Sequence, residues 1–297
     1  MERSTKEKIC FIINPISGTR KKDSWPDAIC RIVDENRFDI CIFFTDGPGH
    51  ASELARQQVE SNVPYVVAVG GDGTINEIAA ALRNSNTAMG IVPCGSGNGL
   101  ARHLHIPLNM SEALKLINNV KIISIDYGMV NEKPFFCTFG VGFDAHISSA
   151  FAHSKKRGFM KYVSIIVREF FSYRSRKYKI KVDGAKFKTR AMVVTVANSA
   201  QYGNNGYISP YADITDGLLD VCVLRPFPKV MAAFIAVKLM SKTIHKSRYY
   251  QMVKGEEIVI KRKRTGNVHL DGEPYTMGEK LKIRIVPQGL RVMVKGN

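Results

Sequence analysis

The sequence predicts an α/β protein of two domains: an N-terminal domain on a parallel sheet, then a mainly antiparallel β-sandwich. Three observations predict it. The first half alternates near-continuous apolar runs with amphipathic segments, as strands covered on both faces and their crossover helices do. From about Ile122 the texture changes to short runs, many alternating polar with apolar, joined by Gly, Asn, Asp or Pro turns. The charge divides at the same place: residues 1–126 hold 13 Lys+Arg against 14 Asp+Glu, and residues 127–297 hold 30 against 12. The formal net charge of +17 on 297 residues therefore belongs to the second half.

In chain order, Ile9–Ile13, Ile40–Thr45, Tyr65–Val69 and Met89–Val92 read as strands, with Ser24–Glu35, Gly49–Ser61 and Asn76–Arg83 as the helices between them. Such alternation gives a parallel sheet with right-handed crossovers, which binds ligands beyond the carboxyl ends of its strands. The second half offers strands at Ile122–Val130, Pro134–Val141, Tyr178–Val182, Ala191–Ala197, Leu218–Leu224, Glu257–Lys261, Val268–Leu270, Leu281–Val286 and Leu290–Val294. Helical patterns at Ser148–Tyr173 and Lys229–Met240 interrupt them. The expected domains are 1–126 and 127–297, the first open to completion by the last C-terminal residues.

Several classes drop out. No apolar run approaches the 18 or so residues of a spanning helix, and Ile9–Ile13 is too short for a secretory leader. Six cysteines without a C-x-x-C pair point to reduced thiols and a cytoplasmic address. The basic half could face nucleic acid or the inner surface of a membrane. No helix-turn-helix, zinc-ligand or aromatic RNA-binding signature supports nucleic acid.

The sharpest motif is Gly70-Gly71-Asp72-Gly73-Thr74, after one strand and before a helix with Asn76 and Glu77 in its first turn. Its glycines leave amides unshielded at a helix N-terminus, where an anion fits. Asp72 makes sense there if a divalent cation or a departing proton lies between it and a phosphate. Neither the G-x-G-x-x-G nor the Walker pattern is present. A second loop, Gly95-Ser96-Gly97-Asn98, follows the next strand. Asn14-Pro15-Ile16-Ser17-Gly18 and Thr45–Ala51 end the first two strands in the same polar, Gly-rich way. Four consecutive strand ends of this kind describe a nucleotide site.

With these motifs the sequence resembles the diacylglycerol kinase catalytic family, which includes bacterial lipid kinases and sphingosine and ceramide kinases. The resemblance continues through Gly140-x-Gly142-x-Asp144-Ala145, Ala197-Asn198, Asp216-Gly217-Leu218-Leu219-Asp220 and Leu270-Asp271-Gly272-Glu273. It implies an ATP- and Mg²⁺-dependent lipid kinase. Asn14, Thr45, Gly70 to Asn76, Gly95, Ser96 and Asn98 would line the ATP site. It also implies Glu273 as proton acceptor, with Asp271 and Asp72 toward catalytic Mg²⁺; from the sequence alone each of the three could be the base. Asp213, Asp216 and Leu218 resemble a structural Mg²⁺ loop, and the same residues also make an ordinary Gly turn.

The acceptor would be a membrane lipid. Lys155–Arg190 holds 13 Lys+Arg against 2 Asp+Glu, with Phe159, Met160, Tyr162, Val163, Ile166, Phe170 and Phe171 giving an apolar helical surface. Lys177, Lys179, Lys181 and then Lys186, Lys188, Arg190 alternate along two strands, a face that anionic headgroups would attract. The alternative function is a NAD kinase-like soluble phosphotransferase, which shares G-G-D-G-T but has no use for that basic face. An exposed sandwich edge could pair two copies into a homodimer.

Overall fold

The computed structural model describes residues 6–18, 24–152, 159–203 and 205–296, and the chain divides into two compact units. The first unit is Met1–Ile125 with Gln288–Asn297; the second is Asp126–Pro287.

The first unit runs β1 (Glu7–Ile13), α1 (Trp25–Ile32), β2 (Phe38–Phe44), α2 (His50–Glu60), β3 (Tyr65–Gly70), α3 (Asp72–Leu82), β4 (Ala88–Pro93), α4 (Gly99–His103) and α5 (Met110–Ile117). Its strands are parallel in the order β2-β1-β3-β4. Every residue of β3 and β4 is buried, which is why both read as unbroken apolar runs. The order reverses between β1 and β3, so the ligand crevice of this topology lies at their carboxyl ends. The C-terminal end of the chain adds a further parallel strand, pairing Val292 with Met89 of β4. α1 stops at Ile32 because Val33 turns extended, three residues short of the expected end.

β5 (Val120–Val130) leads into the second unit, followed by β6 (Lys133–Phe135), β7 (Thr138–Gly142), α6 (Phe143–Ala152), α7 (Phe159–Ser172), β8 (Arg176–Val182), β9 (Ala185–Ala191), β10 (Val193–Ala197) and β11 (Leu219–Leu224). A one-turn 3-10 segment, Lys229–Met231, opens α8 (Ala232–Met240). Then come β12 (Tyr250–Gly255), β13 (Glu257–Lys261), β14 (Gly266–Leu270), β15 (Glu273–Met277) and β16 (Lys280–Lys295). Six antiparallel strands form one sheet in the order β12-β11-β10-β7-β14-β15. Strands β9, β8, β13 and the start of β16 form the other. Tyr178, Ile180 and Val182 of β8 and Ile258 and Ile260 of β13 meet Phe139, Val141, Val194, Val196 and Val221 in one core, the sandwich that the alternation predicted.

Other expected elements differ too: α3 starts at Asp72, four residues before the expected Asn76. Pro134–Val141 is two strands, interrupted at Phe136 and Cys137. Leu281–Val286 and Leu290–Val294 are one strand, β16, which accommodates Gln288 at φ 51°. The helical pattern Ser148–Tyr173 is α6, starting five residues earlier, and α7. Residues 153–158 between them, and the side chains of Phe159, Met160 and Tyr162, lie outside the described residues. Among the described residues, no helix is long and apolar enough to cross a membrane.

Candidate active site

In the first unit the four loops at the strand ends knit together through backbone and side chains. Asn14 donates from Nδ2 to Thr74 Oγ1 at 3.0 Å, bridging the ends of β1 and β3. Cys94 N–H donates to Gly70 O at 2.7 Å, tying the loop after β4 to the loop after β3. A Cβ on Gly18 would lie 2.5 Å from the Cys94 carbonyl oxygen, and one on Gly95 would lie 3.0 Å from Gly71 Cα. Only glycine permits these approaches, so the motif glycines are needed for loop packing as well as for open amides.

Asp72 shows what sequence could not. Its Oδ2 accepts Asn98 N–H at 2.8 Å and its Oδ1 accepts Gly99 N–H at 2.7 Å, so this carboxylate holds the second loop and the start of α4. Asn98 closes the loop on itself, accepting from Gly95 N–H at 3.0 Å and donating to Gly95 O at 2.8 Å. Thr45, Gly70, Thr74 and Ile75 are buried and shape the floor, whereas Gly71, Gly73 and Asn76 are half-buried and Ser96 is exposed. No side chain caps the N-terminus of α3, which leaves its first amides for an anion. Glu77, to which the sequence assigned no role, accepts Gly49 N–H at 2.9 Å and anchors the loop after β2.

In the second unit Asp271 and Gly272, at φ 50° and 87°, form the two-residue turn between β14 and β15. Positive φ at both central residues is the hairpin geometry that Asp-Gly favours. The Asp271 carboxylate accepts the N–H of Phe136 at 2.8 Å and those of Cys137 and Thr138 at 2.7 Å each. Two of those amides, of Phe136 and Cys137, belong to the residues between β6 and β7, which explains the broken strand. Burial pushes the Asp271 carboxyl up to about 6, against the pull of the three amides. Glu273, two residues on, is exposed at the head of β15, with Tyr275 OH donating to Oε2 at 3.2 Å.

Behind this turn lies a buried network. His269 Nδ1 accepts Gly272 N–H at 3.4 Å, leaving Nε2–H to donate to Asp144 Oδ2 at 3.2 Å. Thr195 Oγ1 donates to the same oxygen at 3.0 Å, and Ser148 Oγ donates to Gly272 O. A Cβ on Gly140 would fall 2.2 Å from His269 Nε2 and 2.3 Å from Asp144 Oδ2. Only a hydrogen fits there, which gives the Gly140-x-Gly142-x-Asp144 motif its physical reason. His269 escaped the sequence reading; its position one residue before Leu270-Asp271 was the available signal.

The loop proposed for a structural cation is differently engaged. Asp213 Oδ1 accepts from Thr215 N–H and Oγ1 at 2.9 and 2.7 Å, an ordinary Asx turn. Asp216 accepts Leu218 N–H at 3.0 Å, and its Oδ2 receives the Lys254 ammonium at 2.6 Å. The same ammonium is 3.5 Å from Asp220 Oδ1. A positive group, the Lys254 ammonium, thus sits between Asp216 and Asp220, in the loop where the sequence expects a cation at Asp213, Asp216 and Leu218. Among the described residues no three His, Cys, Asp or Glu side chains gather as a metal cluster. Mg²⁺ that arrives on nucleotide phosphates needs no such cluster, because it takes one or two carboxylates and keeps its waters.

Comparison with known proteins follows the same division. The family model of the diacylglycerol kinase catalytic domain matches residues 8–130, and that of the YegS C-terminal NAD kinase beta sandwich-like domain matches residues 138–294. A probable lipid kinase YegS-like protein of Klebsiella pneumoniae (strain 342) is 30% identical over 274 residues, 89% of either chain. A protein of the same description from Pseudomonas aeruginosa (strain UCBPP-PA14) is 27% identical over 97% of this chain and 94% of its own. Crystal structures of a diacylglycerol kinase and a putative diacylglycerol kinase from Bacillus anthracis str. Sterne share the fold. Their TM-scores are 0.76 and 0.78 at 22% and 23% identity, each covering 97% of both chains.

Proposed function

The chain belongs to the YegS-like lipid kinases of the diacylglycerol kinase catalytic family, and we propose that it transfers the γ-phosphate of ATP to a hydroxyl of a membrane lipid such as diacylglycerol or a sphingoid base. The observation that carries this reading is the paired glycine loop. Gly70–Thr74 and Gly95–Asn98 pack backbone on backbone, gripped by Asp72, beside the uncapped start of α3. Such a cradle suits the phosphates of a nucleotide.

In the transfer, the lipid hydroxyl gives its proton to the Glu273 carboxylate as its oxygen attacks the γ-phosphorus. The bond from that phosphorus to the β–γ bridging oxygen breaks and ADP departs. Asp271 holds the turn that presents Glu273, and Ser96 with the α3 amides orients the phosphates. Mg²⁺ bound to the nucleotide would neutralise charge on the transferring group, with Asp72 and Asp271 the carboxylates nearest in role to it. The excess of bases after residue 127 draws the second unit to an anionic bilayer, where the acceptor resides. We place the enzyme in the cytoplasm, peripheral to the inner face of the membrane.

The test is direct. Purified protein, γ-labelled ATP and Mg²⁺ are incubated with vesicles of diacylglycerol, monoacylglycerol, sphingosine, ceramide, phosphatidylglycerol or undecaprenol, with NAD as the soluble control. Label in one lipid class is expected; label in NAD and in no lipid would overturn the reading.

A further inference from the structure

α8 contradicts the usual rule for apolar helices. From Val230 to Met240 every residue but Lys238 is apolar, and a helix apolar on all sides is normally buried on all sides. Here only Ile235 is buried, packing with Met192, Val193, Leu224 and Ile244 on the outer surface of the six-stranded sheet. The opposite side of the helix is left open: Val230 is 88% exposed, Phe234 53%, Val237 60% and Met240 61%. These residues recur at helical spacing and make one stripe. Phe171 of α7 extends the stripe, because Lys229 donates to its carbonyl and lies 5.6 Å from its ring.

The surroundings of the stripe are positive. Residues 221–253 contain six Lys+Arg and no Asp or Glu. Lys238 lies 5.0 Å over the Phe234 ring, a lysine stem folded along apolar surface with its ammonium at the edge. An apolar stripe with cationic edges on a helix too short to span is the pattern of an interfacial helix.

We propose that α8 docks the second unit on an anionic bilayer by laying the Val230–Phe234–Val237–Met240 stripe into the headgroup–acyl boundary. This rests on the lipid-kinase reading for its purpose but not for its physics. It also moves the docking surface. The lysines of β8 and β9 alternate with Tyr178, Ile180 and Val182, whose side chains point into the sandwich core. Lys177, Lys179 and Lys181 therefore project from the outer surface of one sheet, and α8 covers the outer surface of the other. A flat bilayer can seat only one of them. The apolar stripe can bury surface there, whereas the strand lysines supply attraction at a distance.

The experiment uses the full chain with vesicles of phosphatidylglycerol and phosphatidylcholine, 1:1, read by sedimentation. Phe234→Asp with Val237→Asp should lower the bound fraction at least tenfold, and Lys179→Gln with Lys188→Gln by no more than about threefold. Equal thermal midpoints establish that the substitutions leave the fold intact. In a second measurement the indole fluorescence of Phe234→Trp should blue-shift on vesicles and be quenched by brominated acyl chains. The wild type should not be quenched, since its sole tryptophan, Trp25, is buried in the first unit. The proposal is overturned if the lysine variant loses binding and the α8 variant keeps it. It is equally overturned if the introduced indole stays in water while light scattering shows that the stripe holds two copies together. Phosphorylation of detergent-dispersed lipid, assayed in parallel, reports the kinase reading separately: transfer without α8 docking, or docking without transfer, tells which has failed.

Discussion

The two units build their sites from different material. In the first, the cradle is largely backbone: amides and carbonyls of four loops, brought close by glycines and held by the carboxylates of Asp72 and Glu77. In the second, the site is side chains: Asp271, Glu273, His269 and Asp144, locked to a hairpin turn by hydrogen bonds. The difference follows from chemistry. A phosphate chain with little sequence to read is best held by amides at fixed positions, whereas proton transfer from a hydroxyl needs a group that can titrate. Substitutions in the first unit should therefore act by distorting loops, and those in the second by removing a charge or a proton site.

The largest expected effect is on pH dependence in the second unit. Burial holds the Asp271 carboxyl at about 6, above the ~3.9 of an exposed aspartate. A raised acid is favoured protonated in the fold, so its contribution to stability is complete below about pH 4 and lost as pH rises through about 6. The change amounts to about 3 kcal/mol. Urea midpoints of the wild type minus those of Asp271→Asn, which cannot titrate, should fall across that window. A flat difference would mean that the three amides cancel burial, and a rising one that they outweigh it.

Next is the clamp of the first unit. Asp72→Asn turns an NH₂ toward either Asn98 N–H or Gly99 N–H, and turnover should fall about 10²-fold, or about 2.7 kcal/mol. A rise in the KM for ATP should accompany the fall, since the loop is displaced; an unchanged KM would assign Asp72 to chemistry alone. Gly140→Ala should cost about 2 kcal/mol by driving a methyl against His269 and Asp144. Thermal unfolding reads this, and an unaltered midpoint would remove the close approach from the account.

The smallest effect concerns Lys254, whose ammonium sits where the sequence suggested a cation. Lys254→Met should cost about 1 kcal/mol and make the melting temperature respond to added Mg²⁺, to which the wild type should be indifferent. A wild type stabilised by millimolar Mg²⁺ would restore the metal loop of Asp213, Asp216 and Leu218.

Much of the first unit was legible because its information is local. Tyr65–Val69 announces a buried strand, and three glycines in the next four residues announce the loop. The alternation that puts Lys177, Lys179 and Lys181 on one face was equally local. What stayed hidden depends on partners far apart in sequence. Asp72 and Asn98 are 26 residues apart, and Asp271 and Phe136 are 135 apart. The exposed side of α8 was hidden for a related reason: its composition reads as core, and only the packing reveals that one side is covered. β12 was missed because Tyr-Gln-Met-Val-Lys lies half-buried along its whole length and never alternates cleanly.

The division of labour between the two units is tested most directly by Glu273→Gln. The variant keeps every backbone amide of the first unit and removes only the proposed proton acceptor. Its affinity for ATP, measured by equilibrium binding, should stay within about twofold of the wild type, while lipid turnover falls at least about 10²-fold. Turnover within about threefold of the wild type, or loss of ATP binding in step with activity, would contradict the account.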